Sequence, residues 1–341
     1  MLEWLTAGLA AIATFLLTGR VLAHAIAAER LDIPNARSSH ARPTPRGGGL
    51  AIVLCSLAAL LMLFAFHRIS GQITLALTLG GAAIGTIGYL DDQGKASRMA
   101  RLAVHVTACT GALFCFGATP SIEIGGALIR TGWIAAAMWV LAAVWATNLF
   151  NFMDGIDGIA ASEAAFVALA GSLLTSSTNG NSAVVPCGLV FGATCLGFLL
   201  WNWPPAKIFM GDVGSGFLGF VIAVLALAAT LEDPGAMVVW LILGAVFWID
   251  ATVTLLRRLA RRERIYEAHR SHAYQWLSRR WGSHGSVTIA VLAIDVVWLL
   301  PLAWLAARYP EHATWCVFVA FVPITILALL AGAGRAEYRS R

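Results

Sequence analysis

Charged side chains are scarce in this sequence, 12% of 341 residues, about half the share of an average soluble domain. Lysine is nearly missing, with only Lys95 and Lys207. Paired cysteines are missing as well. Cys55, Cys109, Cys115, Cys187, Cys195 and Cys316 stand singly in or near apolar stretches, and no CxxC occurs. That excludes a cysteine zinc site and a disulfide framework, and leaves them as small apolar residues. No internal repeat, low-complexity tract or separate polar domain is visible, so residues 1–341 read as one membrane domain. No A-x-A site follows the first apolar stretch, Trp4 to Ile26, which is also too long for a signal-peptide core and reads as a retained anchor.

What is abundant is apolar sequence, 59% of the chain. A membrane helix takes about 20 mostly apolar residues. Eleven such segments are predicted, near 3–26, 47–67, 72–90, 102–118, 132–149, 159–177, 183–200, 215–232, 236–257, 286–308 and 313–334. The fold class is therefore all-α and polytopic. Cytoplasmic loops of membrane proteins are enriched in Lys and Arg. With the N-terminus outside and the C-terminus cytoplasmic, 19 of the 23 basic residues fall inside and only Arg68, Arg130 and Arg308 outside, while Arg20 lies within the first span. The net charge of +5 is thus mainly an orientation signal, and it does not point to nucleic acid. One outside loop, 121–130, alternates around Gly125-Gly126 and predicts a small periplasmic β-hairpin.

Five of the nine aspartates, Asp91, Asp92, Asp154, Asp157 and Asp212, fall at three inside junctions rich in glycine. Glycine lets backbone approach a ligand closely. Carboxylates gathered there repel one another unless a cation intervenes, and hard oxygen donors favour Mg²⁺, with Mn²⁺ as the alternative. The pair Asp91-Asp92 ends the third span and suits metal binding or a base with a tuned neighbour, or is simply a solvated helix end. Asn148, Asn151 and Asp154 recur every three residues and share roughly one helix face before Asp157. Lys207 to Gly216 opens the eighth span with a Gly/Ser turn that suits phosphate, or else a plain N-cap by Asp212 or Ser215. The long loop after the ninth span carries His269 and His272, spaced to share a helix face and placed for anion or nucleotide contact. The first inside loop, with Arg37, His40, Arg42 and Arg46 between prolines and a glycine run, is a stiff phosphate-contacting segment or a rigid connector. Asp250 and Asp295 lie within spans, where an ionisable group is a functional candidate by default. Asp250 precedes Arg257 by two helical turns and is expected to face the same cleft, and Asp295 reads equally well as an interhelical hydrogen bond.

The segments PTPRGGG (43–49), GYLDD (88–92), NLFNFMDGIDG (148–158), FMGDVGSGFLG (209–219) and HRSHAYQ (269–275) occur in this order. Together they resemble the polyprenyl-phosphate N-acetylhexosamine-1-phosphate transferases. The resemblance runs from about Asp32 to Gln275. It implies ten or eleven transmembrane helices in the bacterial inner membrane and a cytoplasmic active site. It also implies Mg²⁺ dependence and transfer of a sugar-1-phosphate from a UDP-N-acetylhexosamine to undecaprenyl phosphate with release of UMP. By the same resemblance Asp212 and Asn151 are the metal ligands, and Asp91, Asp92, Asp154 and Asp157 the catalytic carboxylates. Arg46, Lys95, Asn148, His269 and His272 are then expected to contact substrate. Arg270-Ser271 separates the histidines, unlike the adjacent histidines of the muramoyl-pentapeptide enzymes. The closer likeness is therefore to enzymes that start O-antigen or related surface polysaccharides, with UDP-GlcNAc, UDP-FucNAc or UDP-QuiNAc as donor. Expected partners are the nucleotide sugar, the lipid phosphate and membrane lipid, and a homodimer is compatible with the reading. Two other readings are a secondary transporter and an inactive cell-envelope scaffold. Acids at one face without a repeat oppose the first, and the intact Asp and Asn set opposes the second.

Overall fold

In the computed structural model, all residues are described except 35–41, 125–126, 130–131, 177–181, 265–268 and 337–341. Arg37, His40 and the hairpin turn Gly125-Gly126 lie outside the described residues. The chain forms helices α1 (Leu2–Ala27), α2 (Gly49–Ala65), α3 (Gly71–Asp92), α4 (Arg98–Phe116), α5 (Trp133–Met153), α6 (Ile159–Leu174) and α7 (Val184–Asn202). These are followed by α8 (Asp212–Glu232), α9 (Ala236–Leu243), α10 (Ala245–Ala260), α11 (Ala273–Trp281), α12 (His284–Ile294), α13 (Leu300–Arg308) and α14 (Ala313–Ala331). Two antiparallel strand pairs complete the fold. β1 (Leu31–Asp32) pairs with β2 (Thr44–Pro45), and β3 (Ile122–Ile124) with β4 (Ala127–Ile129), with Ile122 opposite Ile129.

Among the described residues, eight helical segments are long and apolar enough to cross a membrane, and α9 with α10 makes one more candidate. α2 and α6 are apolar but shorter, 17 and 16 residues. Every predicted segment is helical, but the ninth is not one straight span, because α9 and α10 meet at a 71° bend. The break falls at Gly244, where a Cβ would sit 2.4 Å from the Trp248 indole nitrogen. Glycine is one of the identifiable causes of a sharp kink. The tenth predicted segment is α12 and α13 joined by a π-helical turn, Asp295–Leu299.

α8 is the hub. Its whole apolar stretch is buried, and α3, α5, α6 and α2 pack around it. Small residues allow this, since membrane helices associate through close backbone approach rather than a hydrophobic drive. At Gly88 of α3 a Cβ would lie 2.3 Å from the carbonyl oxygen of Asp212, so the end of α3 rests directly on the start of α8. Large apolar side chains face outward on the peripheral helices, among them Leu9, Ile12 and Leu16 of α1 and Trp315 and Leu330 of α14. A lipid-facing surface carries such side chains without cost.

Candidate active site

The ends of α3 and α5, the start of α8 and the Arg46 segment meet at one pole of the bundle. The Arg46 segment is fixed first. The backbone N–H groups of Gly47 and Gly48 donate to Phe209 O at 3.1 and 2.9 Å, Gly49 N–H donates to Met210 O at 2.9 Å, and Phe209 N–H donates to Pro45 O at 2.8 Å. The first and fourth motifs therefore lie side by side, and this puts the Arg46 guanidinium over the start of α8.

Asp92 caps that helix. Its carboxylate accepts the backbone N–H of Asp212 at 2.9 Å and of Val213 at 3.1 Å, two of the donors that a helix N-terminus leaves unsatisfied. Gly211 precedes them with φ +78°, and a Cβ there would lie 2.6 Å from an Asp92 carboxylate oxygen. Asp212 is thus the capped first residue of α8, and the capping group comes from α3. Arg46 Nη2 lies 2.8 Å from Asp92 Oδ1 and 2.7 Å from Asp212 Oδ1. Burial pulls the Arg46 pKa down, but Asp92 and Asp212, with Asp32 and Asp154 further off, outweigh it and hold the group above its usual value. Arg101 of α4 pairs with Asp91 and approaches Asp212 Oδ2 at 3.6 Å.

α5 supplies the third side. Asn151 Oδ1 accepts the Ser215 hydroxyl at 3.2 Å, while Asn148 donates to Val144 O in its own helix at 2.7 Å. Asp154 sits just past the end of α5. Burial, and then the charge of Asp212, push its carboxyl well above the usual range, with Asp92 and Asp157 adding and Arg46 opposing. Asp157 is used differently. Its Oδ2 accepts Ala206 N–H at 3.0 Å, and its Oδ1 lies 3.1 Å from His284 Nδ1. Its carbonyl accepts the Thr288 hydroxyl at 2.9 Å. These bonds tie the Asp-Gly loop to the turn before α8 and to α12.

The histidine segment docks from the far side of this loop. Tyr274 donates its hydroxyl to Phe152 O at 2.9 Å, and a Cβ on Gly155 would lie 2.2 Å from that hydroxyl oxygen. His269 and His272 precede α11 instead of sharing a helix face; their rings stack at 4.9 Å. Burial, then His272 and Arg258, hold the His269 imidazole down at about 3, so it is neutral at pH 7. Asp250 does not face the acid cluster from below. Its Oδ1 accepts Ala273 N–H at 2.9 Å and its Oδ2 accepts Tyr274 N–H at 3.2 Å, which caps α11. Lys95 stands at the rim of a cleft and donates to Gln93 Oε1 at 2.7 Å.

Arg101, His284 and the Asp250 cap are not singled out by the sequence reading, and Ser215, read there as an N-cap candidate, instead donates to Asn151 while Asp92 provides the cap. Arg101 reads there only as one more inside cation, and no spacing links it to Asp212. Among the described residues no group of three or more His, Cys, Asp and Glu is gathered to hold a metal ion. The donors around Asp212 are nevertheless all oxygen. Mg²⁺ commonly takes one or two carboxylates and completes its shell with water and substrate phosphate, so the set fits that ion.

A family model for glycosyl transferase family 4 matches residues 74–230. The chain is 28% identical over 311 residues to the "Probable undecaprenyl-phosphate N-acetylglucosaminyl 1-phosphate transferase" of Bacillus subtilis, covering 89% of this chain and 84% of the relative. It is 28% identical to the decaprenyl-phosphate N-acetylglucosaminephosphotransferase of Mycobacterium leprae, over 94% of this chain and 87% of that one. A phospho-N-acetylmuramoyl-pentapeptide-transferase of Heliobacterium modesticaldum is 34% identical, over 63% of this chain and 68% of the relative. With these likenesses and the five motifs converging on one pole, the chain belongs to the polyprenyl-phosphate N-acetylhexosamine-1-phosphate transferase family.

Proposed function

We propose that the protein transfers an N-acetylhexosamine-1-phosphate from a UDP-sugar to undecaprenyl phosphate and releases UMP. It does so at the cytoplasmic face of the bacterial inner membrane, with eleven crossings and the N-terminus outside. The observation that carries the reading is the meeting of Asp91, Asp92 and Asp212 with Arg46 and Arg101 at one helix start. A phosphate oxygen of the lipid attacks the β-phosphorus of the donor, and the bond from that phosphorus to the UMP oxygen breaks. Such a reaction needs positioning and charge neutralisation more than covalent chemistry from the protein.

The residues divide the work. Arg46 and Arg101, which neutralise carboxylates in the free protein, are placed to turn toward anionic substrate oxygens. Asp92 is committed to the α8 cap, which supports Asp91 as the carboxylate that orients or deprotonates the acceptor. Burial and the charge of Asp212 disfavour the ionised form of Asp154, which limits the repulsion a diphosphate would meet there. Asp157 shapes the loop. Asp212 and Asn151 would hold Mg²⁺, which when bound supplies neutralising charge to the pyrophosphate. Neutral His269, with His272, Asn148 and Lys95, is left for contacts to the donor and its phosphates.

The separated histidines support a sugar other than the muramoyl-pentapeptide, and hence a product that begins an O-antigen or related surface polysaccharide. The test is UMP release by purified protein with undecaprenyl phosphate, Mg²⁺ and a panel of UDP-N-acetylhexosamines. Release that requires both lipid and metal is expected, and the donor that works names the sugar. Release without the lipid phosphate would overturn the transferase reading.

A further inference from the structure

Among the described residues, the buried ones of α4 are His105, Ala108, Cys109 and Ala112. An imidazole thus stands on an inward face otherwise made of small side chains. His105 is 8% exposed. It follows Arg101 by four residues, which puts the two on one helix face, about 6 Å apart along the axis. Arg101 reaches Asp91 and Asp212 at the pole, and His105 lies one turn deeper.

α5 is built in the same two tiers. Asn151 meets Ser215 of α8, and Asn148 lies three residues deeper, almost one turn. α4 and α5 pack against each other, and the deeper tiers touch, because the His105 ring and the Asn148 side chain hydrogen-bond. Asn148 is partly exposed, with the buried His105 behind it. Burying a polar ring is costly unless it is hydrogen-bonded. His105 Nδ1 has no partner among the described residues, so the Asn148 contact is what offsets the burial. An apolar side chain would fill the same space without that cost, so the position calls for the ring N–H rather than for its bulk.

We propose that His105 is the positioning residue for Asn148. His105 Nε2–H donates to the Asn148 carbonyl oxygen, while Asn148 gives one amide hydrogen to Val144 O at 2.7 Å. The amide plane is then fixed, and its second N–H is left for an acceptor oxygen of the nucleotide sugar. Without the ring, the amide can turn its carbonyl oxygen toward the donor instead, where two acceptors would face each other. His105 itself touches no substrate. The inference rests on the transfer reaction proposed above, in which Asn148 meets the donor. The face of α4 thus acts at two levels: Arg101 neutralises charge at the pole, and His105 orients a neutral group beneath it.

The test is His105→Leu and His105→Gln, each also in an Asn148→Ala background. His105→Leu raises KM for the nucleotide sugar about tenfold, the loss expected for one hydrogen bond, and leaves KM for undecaprenyl phosphate alone. His105→Gln, which keeps an N–H donor of similar reach, recovers most of the effect. His105→Asn, polar but too short to reach Asn148, behaves as the leucine variant and covers the case in which leucine unsettles the fold. In the Asn148→Ala background none of these changes moves KM further, as for two residues that act as a unit. Additive effects overturn the assignment. So does an equal rise in both KM values, because a loosened α4–α5 contact disturbs both substrates. Calorimetric binding of the UDP-N-acetylhexosamine panel to the same variants needs no turnover. Binding that depends jointly on His105 and Asn148, in a protein that releases no UMP, would keep the pair and remove the reaction. UMP release with a donor KM indifferent to His105 would keep the reaction and remove the pair.

Discussion

Asp92 accepts the backbone N–H of Asp212 while Arg46 holds the side chains of both. One carboxylate thus closes a helix start and fixes the orientation of the aspartate that follows it. Replacing Asp92 by alanine removes the cap, at a cost of about 1–2 kcal/mol, and frees Arg46 to pair with Asp212 alone. Asp92→Ala is expected to lower Tm and to reduce UMP release by about a hundredfold. Asp92→Asn, which keeps an acceptor, is expected to recover stability more than activity. An alanine variant as stable as the parent would remove the capping account.

Asp212 itself carries the heaviest expectation. Its side chain is not needed to satisfy backbone donors, so Asp212→Ala should fold. It should lose activity by about a thousandfold or more, several kcal/mol of transition-state stabilisation. Near-parental turnover in folded protein would exclude the role given to it here.

Asp250 repeats the Asp92 device at a second helix. It caps α11 and so fixes where the histidine segment meets the Asp-Gly loop. Asp250→Ala is expected to raise KM for the nucleotide sugar more than it lowers kcat, because the histidines shift while the acid cluster does not. Asp250→Asn should restore most of the binding. Steady-state kinetics on both variants decides this, and a pure kcat effect would contradict it.

His269 makes stability depend on pH. Its folded-state value of about 3 lies below the unfolded value of about 6.5. The unfolded chain therefore binds the extra proton first. The contribution is fully present above about pH 6.5 and is lost as pH falls from there toward the folded value. Thermal unfolding between pH 4 and 8 should show Tm falling on acidification, and His269→Gln should flatten that slope. Parallel curves for the two proteins would count against a buried neutral imidazole.

Asp295 opens the π-helical turn and is fully buried, and Glu163 of α6 is 1% exposed. The two acids neighbour each other, and among the described residues no other group donates a hydrogen bond to their carboxyl oxygens. An amide in place of one acid supplies that donor. Asp295→Asn is expected to raise Tm, by the equivalent of about 1 kcal/mol, without changing kcat. A fall in Tm would show that the acid pair is itself a stabilising feature.

The sequence by itself determined the membrane class, the places of the apolar segments, and the polar segments that meet at one pole. Apolar runs of bilayer length and clustered Asp, Asn and Gly are written locally, so they can be read without a fold. The bend at Gly244 was not legible, because its apolar flanks look the same straight or bent. Nor was the division among the aspartates. Asp91, Asp92, Asp157 and Asp250 look alike as residues, yet one is held by Arg101, two cap helices and one ties a loop to α12. Such roles depend on which backbone N–H groups lie within reach. Asp92 and Asp212 are 120 positions apart, and they meet only because α3 can rest on α8 at Gly88. Contacts of that kind are set by helix packing, and only the tertiary structure decides them.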